Sequence, residues 1–244
     1  MSQVNPYAMN SNVVPVAFAE DSERIGFIRR TYLHLTGAVL ALIALETVLF
    51  SLVPAATMDR MVGAMTGGYG WLLVLAVFMG VSWMARSWAQ SGSSPGLQYA
   101  GLGLYVVAQA IILLPLLYIC IRVLGDEQLP ILAAMITVLC FGGLTAFVFV
   151  TGTDLSGWGK YLALGGLVAM GAIAAGIVMG FSLGIWFSAA MVALACAYIL
   201  YDTSNILHHY DTRQHVAASL ALFASVVLLF WYVLRIMMMF SSDD

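Results

Sequence analysis

The stretch "ACAYILYDTSNILHHYDTRQH", residues 195–215, begins as apolar helix and ends in polar residues, and Asp202 stands in its middle. An ionised side chain at mid-bilayer costs about 2.5–3.5 kcal/mol even on the lenient insertion scale, so such residues face a bundle interior and mark functional positions. Glu46, Arg86 and Arg235 also fall within apolar stretches. At about 1.5 Å of helical rise per residue these groups sort by depth into two layers. Asp202 and Arg86 share one layer, Glu46 and Arg235 the other. Two ion pairs are therefore expected. Asp202 with Arg86 would form a proton-linked latch that opens when the acid is protonated, with burial and the nearby cation acting in opposite senses on it. Glu46 with Arg235 would tie the first and last helices together. On a helix Asn205 and His209 share the face of Asp202, and Tyr201, Ser204, Asn205 and His208 make an adjoining polar stripe. Such a stripe belongs in the bundle centre or beside a water-filled pocket. The plainer alternatives are that it staples helices together and that the arginines snorkel to the interfaces.

Other chemistries fit less well. "GFSLG" at 180–184 has the G-x-S-x-G form of a hydrolase elbow, but that elbow needs a strand before the serine and a histidine at its depth. The histidines His34, His208, His209 and His215 lie toward the opposite face, so Ser182 reads as part of a turn. Aspartyl proteolysis needs two carboxylates in one site, and Asp202 is the one Asp within a span. A retinal Schiff base needs a lysine in the last helix, and the sole lysine is Lys160. His208, His209, Asp211 and His215 have no recognised metal spacing. Cys120, Cys140 and Cys196 match neither a metal nor a disulfide pattern and read as apolar packing. No catalytic residue, cofactor or metal is expected, and the chain reads as a non-enzyme.

The elements that must position these groups follow from composition. The chain has 244 residues, 62% hydrophobic and 9% charged, against about 25% charged in soluble domains. An all-α integral membrane protein is the class that fits. A net charge of −3 with no basic run excludes nucleic acid as a partner and leaves the lipid bilayer as the main one. Seven apolar segments are long enough to span, near 31–53, 71–89, 98–122, 130–151, 160–180, 184–208 and 216–239. Short loops rich in Gly, Pro, Ser and Asp separate them. Gly176 and Gly180 have the GxxxG spacing of close helix packing. With the N-terminus in the cytoplasm, Arg24, Arg29, Arg30, Arg86, Lys160 and Arg213 lie on the inner side and Arg60, Arg122 and Arg235 on the outer, which favours that orientation and an outside C-terminus. Residues 1–23 lack the pattern of a signal peptide and read as a flexible cytoplasmic tail, leaving 24–244 as one seven-helix domain.

Several stretches together resemble the Bax inhibitor/YccA membrane family. "ILYDTSNILHH" is similar to that family's signature in the sixth span, "FIRRTYLHLTGAVL" at 27–40 to the start of its first helix, and "TGTDLSGWGKYL" at 151–162 to its Asp-containing loop before the fifth. The resemblance covers residues 24–240. It implies a seven-helix bundle with a cytoplasmic N-terminus, a pH-controlled calcium leak, and, in eukaryotic members, suppression of cell death. In leak-type members two aspartates of the sixth and seventh spans share a proton. Asp202 matches the first, and Ser225 stands where the second would be. A serine there, with "TSNI" after the acid, resembles the bacterial YccA branch of the inner membrane, whose members bind the protease FtsH through an N-terminal tail. The resemblance thus implies either a calcium leak gated at Asp202 and the position of Ser225, to which the depth argument adds Arg86, or a non-conducting modulator of FtsH.

Overall fold

The computed structural model describes residues 15–91 and 94–241. Among these, eight α-helices follow one another: α1 Asp21–Leu52, α2 Ala55–Thr66, α3 Gly70–Ala89, α4 Pro95–Tyr118, α5 Gln128–Thr151, α6 Gly159–Met179, α7 Ile185–His208 and α8 His215–Ser241. All except the short α2 are long and apolar enough to cross a membrane, which gives the seven spans expected from the sequence.

Local chemistry sets the boundaries. Asp21 and Glu23 occupy the first turn of α1, where acidic side chains complement the helix dipole. That helix starts well before its apolar segment because the polar run from Asp21 to Arg30 is also helical, and Pro54 follows its end. Ser94 caps α4 by accepting the Leu97 N–H, and Pro95 sits at the first helical position. Pro115 lies within α4, and the helix then loosens into a π-helical turn over Ile119–Val123. Asp126 Oδ1 accepts the Gln128 and Leu129 N–H groups and opens α5. Gly152 (φ 61°) and Gly180 (φ 73°) end α5 and α6 in the left-handed region that suits glycine. The expected GxxxG contact is thus something else: Gly180 terminates α6, and a Cβ on Gly176 would meet the Phe181 carbonyl of the following turn at 3.1 Å.

Burial concentrates in α4 and α8, which the other spans surround. Leu220, Leu222, Phe223, Leu229 and Leu234 of α8 are fully buried, and α8 packs against α1, α4, α5 and α7. The outer spans turn apolar side chains outward: Trp186 is 87% exposed and Val150 86%, which in lipid carries no penalty. Gly101 lets α3 and α4 touch, since a Cβ there would lie 2.5 Å from the Ala85 carbonyl oxygen.

Of the expected free tail, residues 1–14 lie outside the described residues, Pro15 and Val16 lie against the bundle, and Asp21–Glu23 form the first turn of α1. Val16 is buried, its N–H donates to the Tyr210 carbonyl at 2.9 Å, and Pro15 bridges to Asp211. Val16 joins the core that contains Phe27, with Tyr210 packed against it, so an apolar side chain gains burial by lying across the α7–α8 connection.

Candidate functional site

A cavity of about 660 Å³ opens between α3, α4, α6, α7 and α8. Arg86, Tyr201, Asp202 and Ser225 line one part of it, and Phe181, Ser182, Leu183 and Arg235 another, at the α6–α7 turn. Its walls between are largely apolar, among them Phe78, Ile112 and Leu228. On α8 the lining residues Ala221, Ala224, Ser225, Leu228, Trp231, Tyr232 and Arg235 recur at helical spacing, so one face of this helix forms the cavity wall.

Asp202 is buried at the cavity edge, and the Ser225 hydroxyl donates to its Oδ2 at 2.6 Å. The two positions that the family resemblance matched to a proton-sharing pair are thus in direct contact. Ser225 Oγ also lies 3.2 Å from the Ala221 carbonyl. A hydroxyl has one hydrogen and two lone pairs. With Asp202 ionised, the hydrogen points to Oδ2. With Asp202 protonated, the acid can donate to Oγ while the serine hydrogen turns to Ala221. The α7–α8 contact therefore survives either protonation state.

The expected latch between Asp202 and Arg86 is not a direct ion pair. Among the described residues the ion pairs are His209–Asp154 and Arg213–Asp211. Arg86 instead holds its guanidinium 5.8 Å from the centroid of the Tyr105 ring, and Tyr105 in turn accepts a hydrogen bond from Gln109 Nε2 at 3.1 Å. The reason lies in packing: α3 runs along α4, which carries Tyr105, so the arginine meets the aromatic ring first. Arg86 and Asp202 share the cavity without touching.

Glu46 and Arg235 do not meet either. Arg235 Nη2 donates to the Leu183 carbonyl at 2.9 Å and closes over the α6–α7 turn. Glu46 is buried, and neither carboxylate oxygen has a hydrogen-bond partner. Equal depth placed them in one layer, but Arg235 lies on the cavity face of α8. Glu46 continues the buried stripe Leu35, Ala38 and Leu42 of α1, a helix that packs against α4 and α8 and does not line the cavity.

The polar stripe of α7 divides in two. Tyr201 lies in the cavity beside Asp202, its hydroxyl close to Gly159, where a Cβ would stand 2.7 Å away. Ser204 and His209 instead fasten the loop between α5 and α6. Ser204 Oγ accepts the Leu155 N–H at 2.7 Å, and His209 Nε2 lies 3.1 Å from both Asp154 carboxylate oxygens. His208 Nδ1 reaches the Ser204 carbonyl of its own helix at 2.9 Å, and the half-buried Asn205 accepts the N–H groups of His209 and Tyr210 on its carbonyl. Asp154 itself was not anticipated as a partner. Its carboxyl is held down at about 2, first by the Ser156 N–H and then by His209. Its place in "TGTD", the loop already singled out, was the available signal.

Membrane-crossing helices arranged around a cavity that Arg86, Asp202 and Arg235 line define a polytopic membrane protein. The chain belongs to the family described as inhibitor of apoptosis-promoting Bax1, whose profile matches residues 24–242. It is 28% identical over 236 residues to the Bax inhibitor 1 of Schizosaccharomyces pombe, covering 96% of this chain and 84% of that one. It is 26% identical over 242 residues to an uncharacterized protein of Helicobacter pylori, covering 93% and 95% respectively. A Golgi anti-apoptotic protein of vaccinia virus matches 46% of this chain at 27% identity.

Proposed function

We propose that this protein is a pH-sensitive cation leak, with calcium as the ion, in which Asp202 sets the charge of the cavity. The observation that carries this reading is a buried carboxylate at the edge of an internal cavity between spans, a costly placement that packing alone does not require. Ser225 occupies Oδ2 and leaves the other oxygen to a passing cation. One carboxylate is a weak calcium ligand, and weak binding suits transit better than storage. The absence of a direct Arg86 contact supports a sign opposite to that of a latch. An ionised Asp202 offsets the positive charge of Arg86 in the same cavity. A protonated one leaves that charge uncompensated, so cations are repelled and the leak falls as pH falls. Calcium flux in proteoliposomes across a pH series tests this: wild type should lose flux on acidification, and Asp202→Asn should give a low, flat curve. Undiminished flux in Asp202→Asn would end the proposal.

The runner-up reading is a non-conducting modulator of the membrane protease FtsH in a bacterial inner membrane, gripped by its N-terminal tail. The strap at Pro15 and Val16 favours it, because a pull on the segment before it would act on the α7–α8 connection. Proteoliposomes with no flux at any pH, together with FtsH captured by the intact chain and lost on removing the tail, would favour that reading.

A further inference from the structure

Away from the central cavity, α1 and α4 leave a second hollow of about 700 Å³. Its floor is made by Gly37, Ala38, Ala41 and Ala44 of α1 with Gly103 of α4, side chains too short to fill the space between the helices. Its rim includes Leu33 and Val48, both exposed on the outer surface of the bundle. The α1 wall from His34 to Val48 is about 21 Å long at about 1.5 Å per residue, longer than one leaflet of hydrocarbon at about 15 Å.

The two ends of this groove differ. At one end His34 Nε2 lies 3.2 Å from the Tyr99 hydroxyl, and the His34 ring is 5.0 Å from that of His215. His215 Nδ1 is buried and has no hydrogen-bond partner. Arg30 is exposed one turn before His34 on the same side of α1, with its carbonyl 2.6 Å from His34 Nδ1. The remainder of the lining, as far as Val48 and Val107, is apolar and uncharged. A slot with hydrogen-bonding groups and the cationic Arg30 at one end and only hydrocarbon along its length matches an amphiphile with a single anionic head. A transmembrane helix from a second copy would instead have to cover the polar His34–Tyr99 end.

We propose that this groove holds a phospholipid with an anionic headgroup. Its phosphate lies against Arg30, His34 and Tyr99, and one acyl chain runs along the Gly37–Ala44 floor. Basic pockets between membrane helices near the headgroup level have this recognition chemistry.

Native mass spectrometry of the full chain in mild detergent tests it, with phosphatidylglycerol and phosphatidylcholine of the same acyl chains as probes. Wild type should retain phosphatidylglycerol about fivefold better, the effect of one cation at headgroup level. Arg30→Gln, a change at an exposed side chain, should remove that preference. Gly37→Leu with Ala41→Leu should abolish retention of both lipids. A Cβ at Gly37 meets nothing within 4 Å, so the added side chain fills the groove without striking backbone. Leu139→Phe, on the exposed side of α5, should leave retention unchanged. Equal retention of both lipids by wild type would overturn the proposal. So would unchanged retention in the filled-groove variant, or a disulfide-linked dimer of Ala41→Cys in lipid nanodiscs.

Discussion

Ser225 Oγ stands between two acceptors, Asp202 Oδ2 and the Ala221 carbonyl, and its single hydrogen can serve either. Removing the hydroxyl strands a buried carboxylate oxygen. Ser225→Ala should therefore destabilise the bundle by about 1–3 kcal/mol, measured by unfolding in detergent. The same change in an Asp202→Asn background should cost less, because the charged acceptor is already gone; an equal cost would show that the two residues act independently. Ser225→Asp places two carboxylates at contact distance, where they resist ionising together. The flux transition should then move toward neutral pH relative to wild type, and an unmoved transition would argue against Asp202 as the titrating group. Glu46 and Arg235 have no contact to lose, since the arginine is bound to Leu183. Glu46→Gln and Arg235→Gln should therefore have effects on thermal stability that add within about 0.3–0.5 kcal/mol. A larger coupling would mean that the two charges meet after all.

The connection between α5 and α6 is held against α7 at two points, Leu155 on Ser204 and Asp154 on His209. Asp154 is depressed to about 2 from an ordinary value of 3.8. A carboxylate depressed in the fold contributes stability fully above its ordinary value and loses that contribution as pH falls through the depressed one. The Asp154 tie should thus hold from neutral pH to about 4 and fail between about 4 and 2. Hydrogen exchange at the Leu155 and Ser156 amides, corrected for the intrinsic rate, checks this. Protection should persist down to about pH 4 in wild type and be weaker throughout in Asp154→Asn. Early loss of wild-type protection near neutral pH would show that another group controls the loop. At this scale the sequence was legible in one dimension. Helix length, caps and breaks follow from local chemistry, so the seven spans could be read directly from the apolar runs and turn residues. Depth follows from counting along a helix and paired Asp202 with Arg86, while the family resemblance alone pointed to Ser225. The direction in which a side chain points around the bundle depends on which helices are neighbours. That is why Arg86, paired with Asp202 by depth, stands over Tyr105, and why Ser204 and His209, read as a stripe that lines a pocket or staples helices, hold a loop.

Seven spans put the start of α1 and the end of α8 on opposite sides of the membrane, and they sort the connections into two sets. The α3–α4, α5–α6 and α7–α8 connections share a side with the start of α1, which the Pro15–Asp211 bridge and the Asp154–His209 pair bring together. The α6–α7 turn, bonded through Leu183 to Arg235, lies at the other end. The distribution of Lys and Arg predicts that the first set is cytoplasmic. Single cysteines placed in a background without Cys120, Cys140 and Cys196 test this with a membrane-impermeant maleimide. Ser182→Cys is exposed at the α6–α7 turn and should react in intact spheroplasts. Gln90→Cys, at the end of α3, should react only after permeabilisation. The reverse pattern would invert the whole bundle and put the Asp202 end outside. Because Ser182 also lines the central cavity, a bulky reagent on the thiol of the Ser182→Cys variant should block calcium flux from that side. Labelling that goes to completion with flux unchanged would show that ions do not pass through this cavity, whatever the orientation.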